Sequence, residues 1–203
     1  ETSVMLDEQM VLSPDYSFDG FVVGPGNRLA HAAAMAVASK LGRAYNPFFV
    51  HGGVGLGKTH LLQAICQQLL RQQPTARISY ISCSTFMDAF HDCVKAGRMG
   101  EFRHRFRNVD LLVIDDISYV RRSELETSVL FELICHRYER KSLLVTSNQP
   151  FREWDEIFPS GSMTVAAVDR LVHHCHIVGI KGESYRQKAA AARVSSDQSN
   201  PPT

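Results

Sequence analysis

The chain has 203 residues, 44% of them apolar and 21% charged, with a formal net charge of +1. That length carries one large domain with its own core, and the near-neutral balance excludes a globally basic nucleic-acid binder, leaving any such contact to a local patch. No apolar run approaches the roughly 18 residues of a membrane span, and the acidic start ETSVMLDEQM lacks an apolar signal core.

Residues 1–12 read as a flexible tail. Residues 13–27 are rich in turn formers, among them Pro14, Asp19, Gly24 and Gly26. Asn27 opens the alanine-rich stretch RLAHAAAMAVASKL, a helix predicted to end at Gly42. FFVHG is a short apolar strand running into glycine, and residues 58–72 form a helix stopped by Pro74. ISYIS (78–82) is a second strand, and Ser84 is placed to cap the helix TFMDAFHDCV. LLVID (111–115) is a continuous apolar run, as expected of a strand buried on both faces. A helix over 123–139, a strand SLLVTSN (142–148), a helix over 163–173 and a strand CHIVGI (175–180) follow. The ending, residues 191–203, reads as a disordered tail. Strand and helix alternate throughout residues 13–190, which predicts an α/β three-layer sandwich around a five-stranded parallel sheet.

The stretch Gly52-Gly53-Val54-Gly55-Leu56-Gly57-Lys58-Thr59 satisfies G-x-x-x-x-G-K-[ST] between a strand and a helix. Glycines let the backbone curl and turn its N–H groups toward phosphate oxygens. The helix start, reaching to His60, adds a positive dipole at the same point. Lys58 supplies a compact charge for the β- and γ-phosphates, and Thr59 a hydroxyl ligand for Mg²⁺. A solvated glycine-rich turn is the bland alternative, and it leaves the flanking strand and helix unexplained. LLVIDD ends in two carboxylates where ligands of α/β sheets gather. Asp115 is placed to hold Mg²⁺, and Asp116 to polarise an attacking water. Asp116 is shorter than glutamate, so slow turnover is expected. Asn148 closes the fourth strand, either beside the γ-phosphate or simply as a turn former before Pro150.

These residues together resemble the AAA+ ATPases, P-loop NTPases of the DnaA/DnaC/IstB clade. Residues from about 12 to 116 resemble the bacterial replication initiators of the DnaA family, through YSFDGFVVGPGNRLAHAAAMAVA, YNPFFVHGGVGLGKTHLLQAI and VKAGRMGEFRHRFRNVDLLVIDDI. Residues from about 111 to 190 resemble the transposition helpers of the IstB family, through FELICHRYERKSLLVTSNQPFREWDEIF, AAVDRLVHH and GESYR. The resemblance implies that FVVGPGN lies over adenine, which implicates Val22, Val23 and Asn27. It implies that Arg170 is an arginine finger reaching a neighbour's γ-phosphate. It also implies ATP-dependent self-association on single- or double-stranded DNA, alongside a replicative helicase or a transposase. An initiator continues into a helical lid and a helix-turn-helix domain, and neither is expected in the residues after Tyr185-Arg186.

KAGRMGEFRHRFRN (95–108) interleaves basic and aromatic residues. Phe102 and Phe106 share a helical face that should pack inward. Lys95, Arg98, Arg103 and Arg105 are the candidate phosphate contacts, with Arg98 and Arg105 two turns apart on an outward stripe. A solvated basic face is the competing account. Arg121 and Arg122 form a smaller basic spot. His173-His174-Cys175-His176 lacks a second ligand cluster at zinc spacing, and Trp154 reads as a core anchor. The five cysteines form no CxxC pair and suit the reduced thiols of a cytoplasmic protein. The sequence therefore predicts an ATP-hydrolysing switch for replication initiation or helicase loading. A transposition helper and a non-hydrolysing nucleotide-binding adaptor are the alternatives.

Overall fold

The structure, a computed structural model, describes residues 5–6, 12–117, 123–137, 140–150, 153 and 175–182. In chain order its elements are β1 (Met5–Leu6), α1 (Arg28–Ser39), β2 (Phe48–Gly52), α2 (Lys58–Gln72) and β3 (Ile78–Ser82). There follow α3 (Cys83–Lys95), α4 (Met99–Arg107), β4 (Leu111–Asp115), α5 (Glu124–Arg137), β5 (Ser142–Ser147) and β6 (His176–Ile180). The five strands read from the sequence all form. A sixth, the two-residue β1, lies in the stretch read as a tail and pairs with β3.

Every pairing is parallel, in the order β1-β3-β4-β5-β2-β6. Chain order and spatial order differ, and the difference positions the site. β5 enters between β4 and β2, so the exits of β2, β4 and β5 become neighbours along one edge.

Alternation along each strand feeds two cores. Leu112 and Ile114 face the side covered by α3, α4 and α5, with Phe86, Phe90, Phe102 and Phe106. Leu111 and Val113 face the side covered by α1 and α2, with Ala34, Leu61, Leu62 and Ile65. Helices on both faces of a parallel sheet complete the three-layer sandwich, because a strand buried on both faces needs cover on both.

Several boundaries move by a turn or less. α1 ends at Ser39, before Gly42, whose φ of 74° belongs to the turn beyond. The cap of α3 is Ser82, not Ser84: Ser82 Oγ accepts from the Thr85 amide at 3.1 Å, so the helix already starts at Cys83. The basic 95–108 stretch divides between the last residue of α3 and the separate helix α4. Phe102 and Phe106 do pack inward, their centroids 4.9 Å apart. Among the described residues no helix is long and apolar enough to cross a membrane. The sequence-predicted helix over 163–173, with Arg170, lies outside the described residues, as do Arg121, Arg122, Trp154, His173, His174 and the 191–203 tail.

Candidate functional site

The loop between β2 and α2 turns on two glycines in the left-handed region, Gly55 at φ 78° and Gly57 at φ 90°. Gly57 is constrained twice. A side chain there would be strained by φ, and its Cβ would sit 2.7 Å from Cε2 of Phe21. Phe21 belongs to the 13–27 segment, so that segment packs directly on the loop.

Lys58 opens α2 and is only 7% exposed. Its Nζ donates to the Gly52 carbonyl at 2.8 Å, the Gly53 carbonyl at 2.9 Å and Asn148 Oδ1 at 2.6 Å. Burial lowers its pKa, and the carboxylates of Asp116 and Asp115 oppose that shift. Thr59 Oγ1 donates to Asp115 Oδ2 at 2.9 Å. With its proton directed at the carboxylate, the hydroxyl keeps its lone pairs for a cation. Asp116 Oδ1 accepts from the Asn148 amide at 3.3 Å. Lys58, Thr59, Asp115, Asp116 and Asn148, separated in sequence by up to 90 positions, therefore meet at the exits of β2, β4 and β5.

These groups open onto a cleft of about 850 Å³, inside the range of about 300–1,000 Å³ usual for small-molecule sites. Residues 54–60 line it, with Asp115, Asp116 and Asn148 on one side and Phe21, Val22 and Asn27 on another. Asn27 shapes that second wall: its Nδ2 donates to the Val22 carbonyl at 2.9 Å, and its Oδ1 accepts from the Gly24 amide at 2.7 Å. Val22 lines the cleft at 60% exposure. Val23 is also exposed but is not part of the lining, while Gly52 and Gly53 act through the carbonyls that hold Lys58.

Several contributors were not read from the sequence, and His60, which was read as part of the nucleotide site, has further partners. Tyr80 and Thr146 both donate to Asp115. His60 Nε2 lies 2.7 Å from the Ser17 carbonyl and its ring stacks on Tyr16, while Gln63 and Gln67 bind the backbone of Ser13. One polar stripe of α2 thus fastens the 13–17 backbone. His60, Gln63 and Gln67 recur at helical spacing, which is the signal that would have found it. Lys181 lines the cleft from beyond β6. Burial first, then the charges of Lys181 and Lys58, lower the pKa of His51.

The basic candidates divide between two helices, and Arg98 and Arg105 are both exposed. Lys95 ends α3. Arg98 is the N-cap residue of α4 and pairs with Glu101 at 3.3 Å. Arg103 lies 3.7 Å from Glu132, which also binds Arg107. Arg105 lies over the Phe106 ring at 5.1 Å. Among the described residues no cluster of His, Cys, Asp or Glu suits a metal ion by itself, and none of the five cysteines is in a disulfide.

A family model described as the bacterial DnaA ATPase domain matches residues 12–158. The chain belongs to this family. The match runs well beyond Asp116, into the stretch whose motifs resemble the transposition helpers. A chromosomal replication initiator protein DnaA from Thermus thermophilus is 45% identical over 140 residues, covering 68% of this chain and 32% of that protein. The chain thus spans about a third of the length of the curated relatives it matches. Domain III of Thermotoga maritima DnaA superposes with a TM-score of 0.75 at 31% identity, over 95% of this chain and 79% of the other. A DnaA bound to AMPPCP and single-stranded DNA superposes at 0.74 with 30% identity, over 91% and 56%.

Proposed function

We propose that the chain binds ATP with Mg²⁺ in this cleft, hydrolyses it slowly to ADP and phosphate, and uses the bound state to assemble on DNA in replication initiation or helicase loading. The observation that carries the reading is the meeting of Lys58, Thr59, Asp115, Asp116 and Asn148 at one sheet edge, beside a glycine-rich loop that lines the same cleft. The relative bound to AMPPCP and single-stranded DNA supports both ligands.

Lys58 would exchange its carbonyl partners for phosphate oxygens, and Asn148 would turn toward the γ-phosphate. Asp116 would accept the proton of the attacking water. Thr59 and Asp115 fit a hydrated divalent cation, since one hydroxyl and one carboxylate already face each other there. When bound, Mg²⁺ would neutralise charge on the β- and γ-phosphates. Phe21, Val22 and Asn27 would cover the base. Arg170 would complete a neighbour's site, on the strength of the VDRL resemblance. Lys95, Arg98, Arg103 and Arg105 would contribute phosphate contacts, in the cytoplasm.

ATP turnover of the full chain, measured with and without single-stranded DNA, tests the reading. Phosphate release above a no-enzyme control supports it. Tight nucleotide binding with no release would point to the non-hydrolysing adaptor instead.

A further inference from the structure

Three buried strands converge on the carboxylate of Asp115. In the sheet register Tyr80 lies opposite Val113 and Ser82 opposite Asp115, while Val145 lies opposite Ile114. Period-2 alternation then puts Tyr80, Asp115 and Thr146 on one face, the face covered by α2. Tyr80 and Thr146 are fully buried and Asp115 is 8% exposed. The Tyr80 hydroxyl donates to Asp115 Oδ2 at 3.0 Å, and the Thr146 hydroxyl donates to Oδ1.

Packing alone does not ask for these hydroxyls. Phenylalanine and valine would fill the same volumes without burying two polar groups, and an unmatched buried hydroxyl costs about 1–3 kcal/mol. What the hydroxyls do is fix the carboxylate. Thr146 donates to one oxygen and Tyr80 to the other, which sets the torsion about Cβ–Cγ and holds Oδ2 where Thr59 also reaches it.

We propose that Tyr80 and Thr146 are positioning residues, which orient Asp115 toward the cation of the nucleotide complex. The inference rests on the Mg²⁺-nucleotide reading above. Supporting groups of this kind govern metal affinity without touching the metal.

The test uses the full chain and binding of fluorescent ADP, followed across a MgCl₂ titration and separately in EDTA. Tyr80→Phe and Thr146→Val should weaken the apparent Mg²⁺ constant by about tenfold or more, and Thr146→Ser should restore it. ADP affinity in EDTA should stay at the wild-type value in all three. An unchanged Mg²⁺ constant in both hydroxyl deletions overturns the proposal. So does an equal loss of ADP affinity in EDTA, which marks a general packing defect. If Tyr80→Phe does not fold, the Thr146 valine–serine pair decides, because it acts on the same torsion. Wild-type ADP binding indifferent to Mg²⁺ would remove the underlying reading, and that outcome is visible in the wild-type arm alone.

Discussion

Lys58 donates to three oxygens within its own fold, two of them the carbonyls of the loop it serves. A buried cation so placed holds the loop's shape and presents its charge at the mouth of the cleft. Lys58→Ala removes both. Nucleotide affinity should fall by at least about tenfold, or 1.4 kcal/mol, in a titration with a fluorescent ATP analogue. The fold should persist with a lowered melting temperature, because the buried Gly52 carbonyl loses its donor. Equal affinity for mutant and wild type would remove Lys58 from the site. On the proposed reading, Asp116 separates binding from chemistry. Asp116→Asn keeps an oxygen for the Asn148 amide and loses the basic carboxylate. Mg·ATP binding should persist while turnover falls by about 100-fold or more. An unchanged rate would assign the base elsewhere.

The two edges of the sheet divide the work between elements. The exits of β2, β4 and β5 carry the candidate site, and the entries of β3, β4 and β5 are knotted together by charge. Asp110, just before β4, binds Lys141 at 2.8 Å and Arg77 at 3.5 Å, the residues that precede β5 and β3. Behind them the fully buried Arg137 donates to the carbonyls of Phe106, Arg107, Val109, Asp110 and Ser142, which ties α5 to both strand entries. Burial alone would raise the Asp110 pKa. Hydrogen bonds from Lys141 and Arg77 outweigh it and hold the carboxyl at about 2, below its ordinary 3.8. A depressed folded-state pKa stabilises above the unfolded value and is lost as pH falls through the folded one. Asp110→Asn should therefore cost about 1 kcal/mol near neutrality, the upper range for partly exposed pairs. The gap to wild type should hold down to about pH 4 and close toward pH 2. Urea midpoints across that range check it, and a gap that does not narrow would exclude the ion pairs as its source. This knot was not legible in the sequence, where Arg137 looks like any helix-end arginine. The phosphate loop and LLVID were legible because their signals are local: glycine spacing, a continuous apolar run, a carboxylate at its end. Tyr80 and Thr146 become partners of Asp115 only through strand order and register, which no single segment encodes. The cap of α3 failed for a smaller reason, since Ser82 and Ser84 are equally good caps and only the start of the helix chooses between them.

Across the whole molecule, positive charge is distributed by pairing more than by count. The chain is nearly neutral, and several of the arginines on α4 already face carboxylates. Glu132 on α5 holds Arg103 and Arg107, and Glu101 holds Arg98. Arg105 stacks over Phe106 and has no carboxylate partner among the described residues. Exposed pairs are worth about 1 kcal/mol or less, so a phosphate backbone can displace them, and Glu132 then acts as a brake on two arginines at once. If single-stranded DNA runs along α4, its binding should weaken with salt, with a slope near −0.7 per neutralised phosphate. Arg105→Ala should make that slope shallower by about 0.7. Glu132→Gln should tighten binding at low salt, because it releases Arg103 and Arg107 and removes a negative charge from that face. Fluorescence anisotropy with a labelled oligonucleotide across a salt series measures both. The two variants move in opposite directions only if this face touches the backbone. An unchanged slope in Arg105→Ala together with unchanged affinity in Glu132→Gln would place the DNA path on another surface, and would leave the basic run of α4 as a solvated helix face.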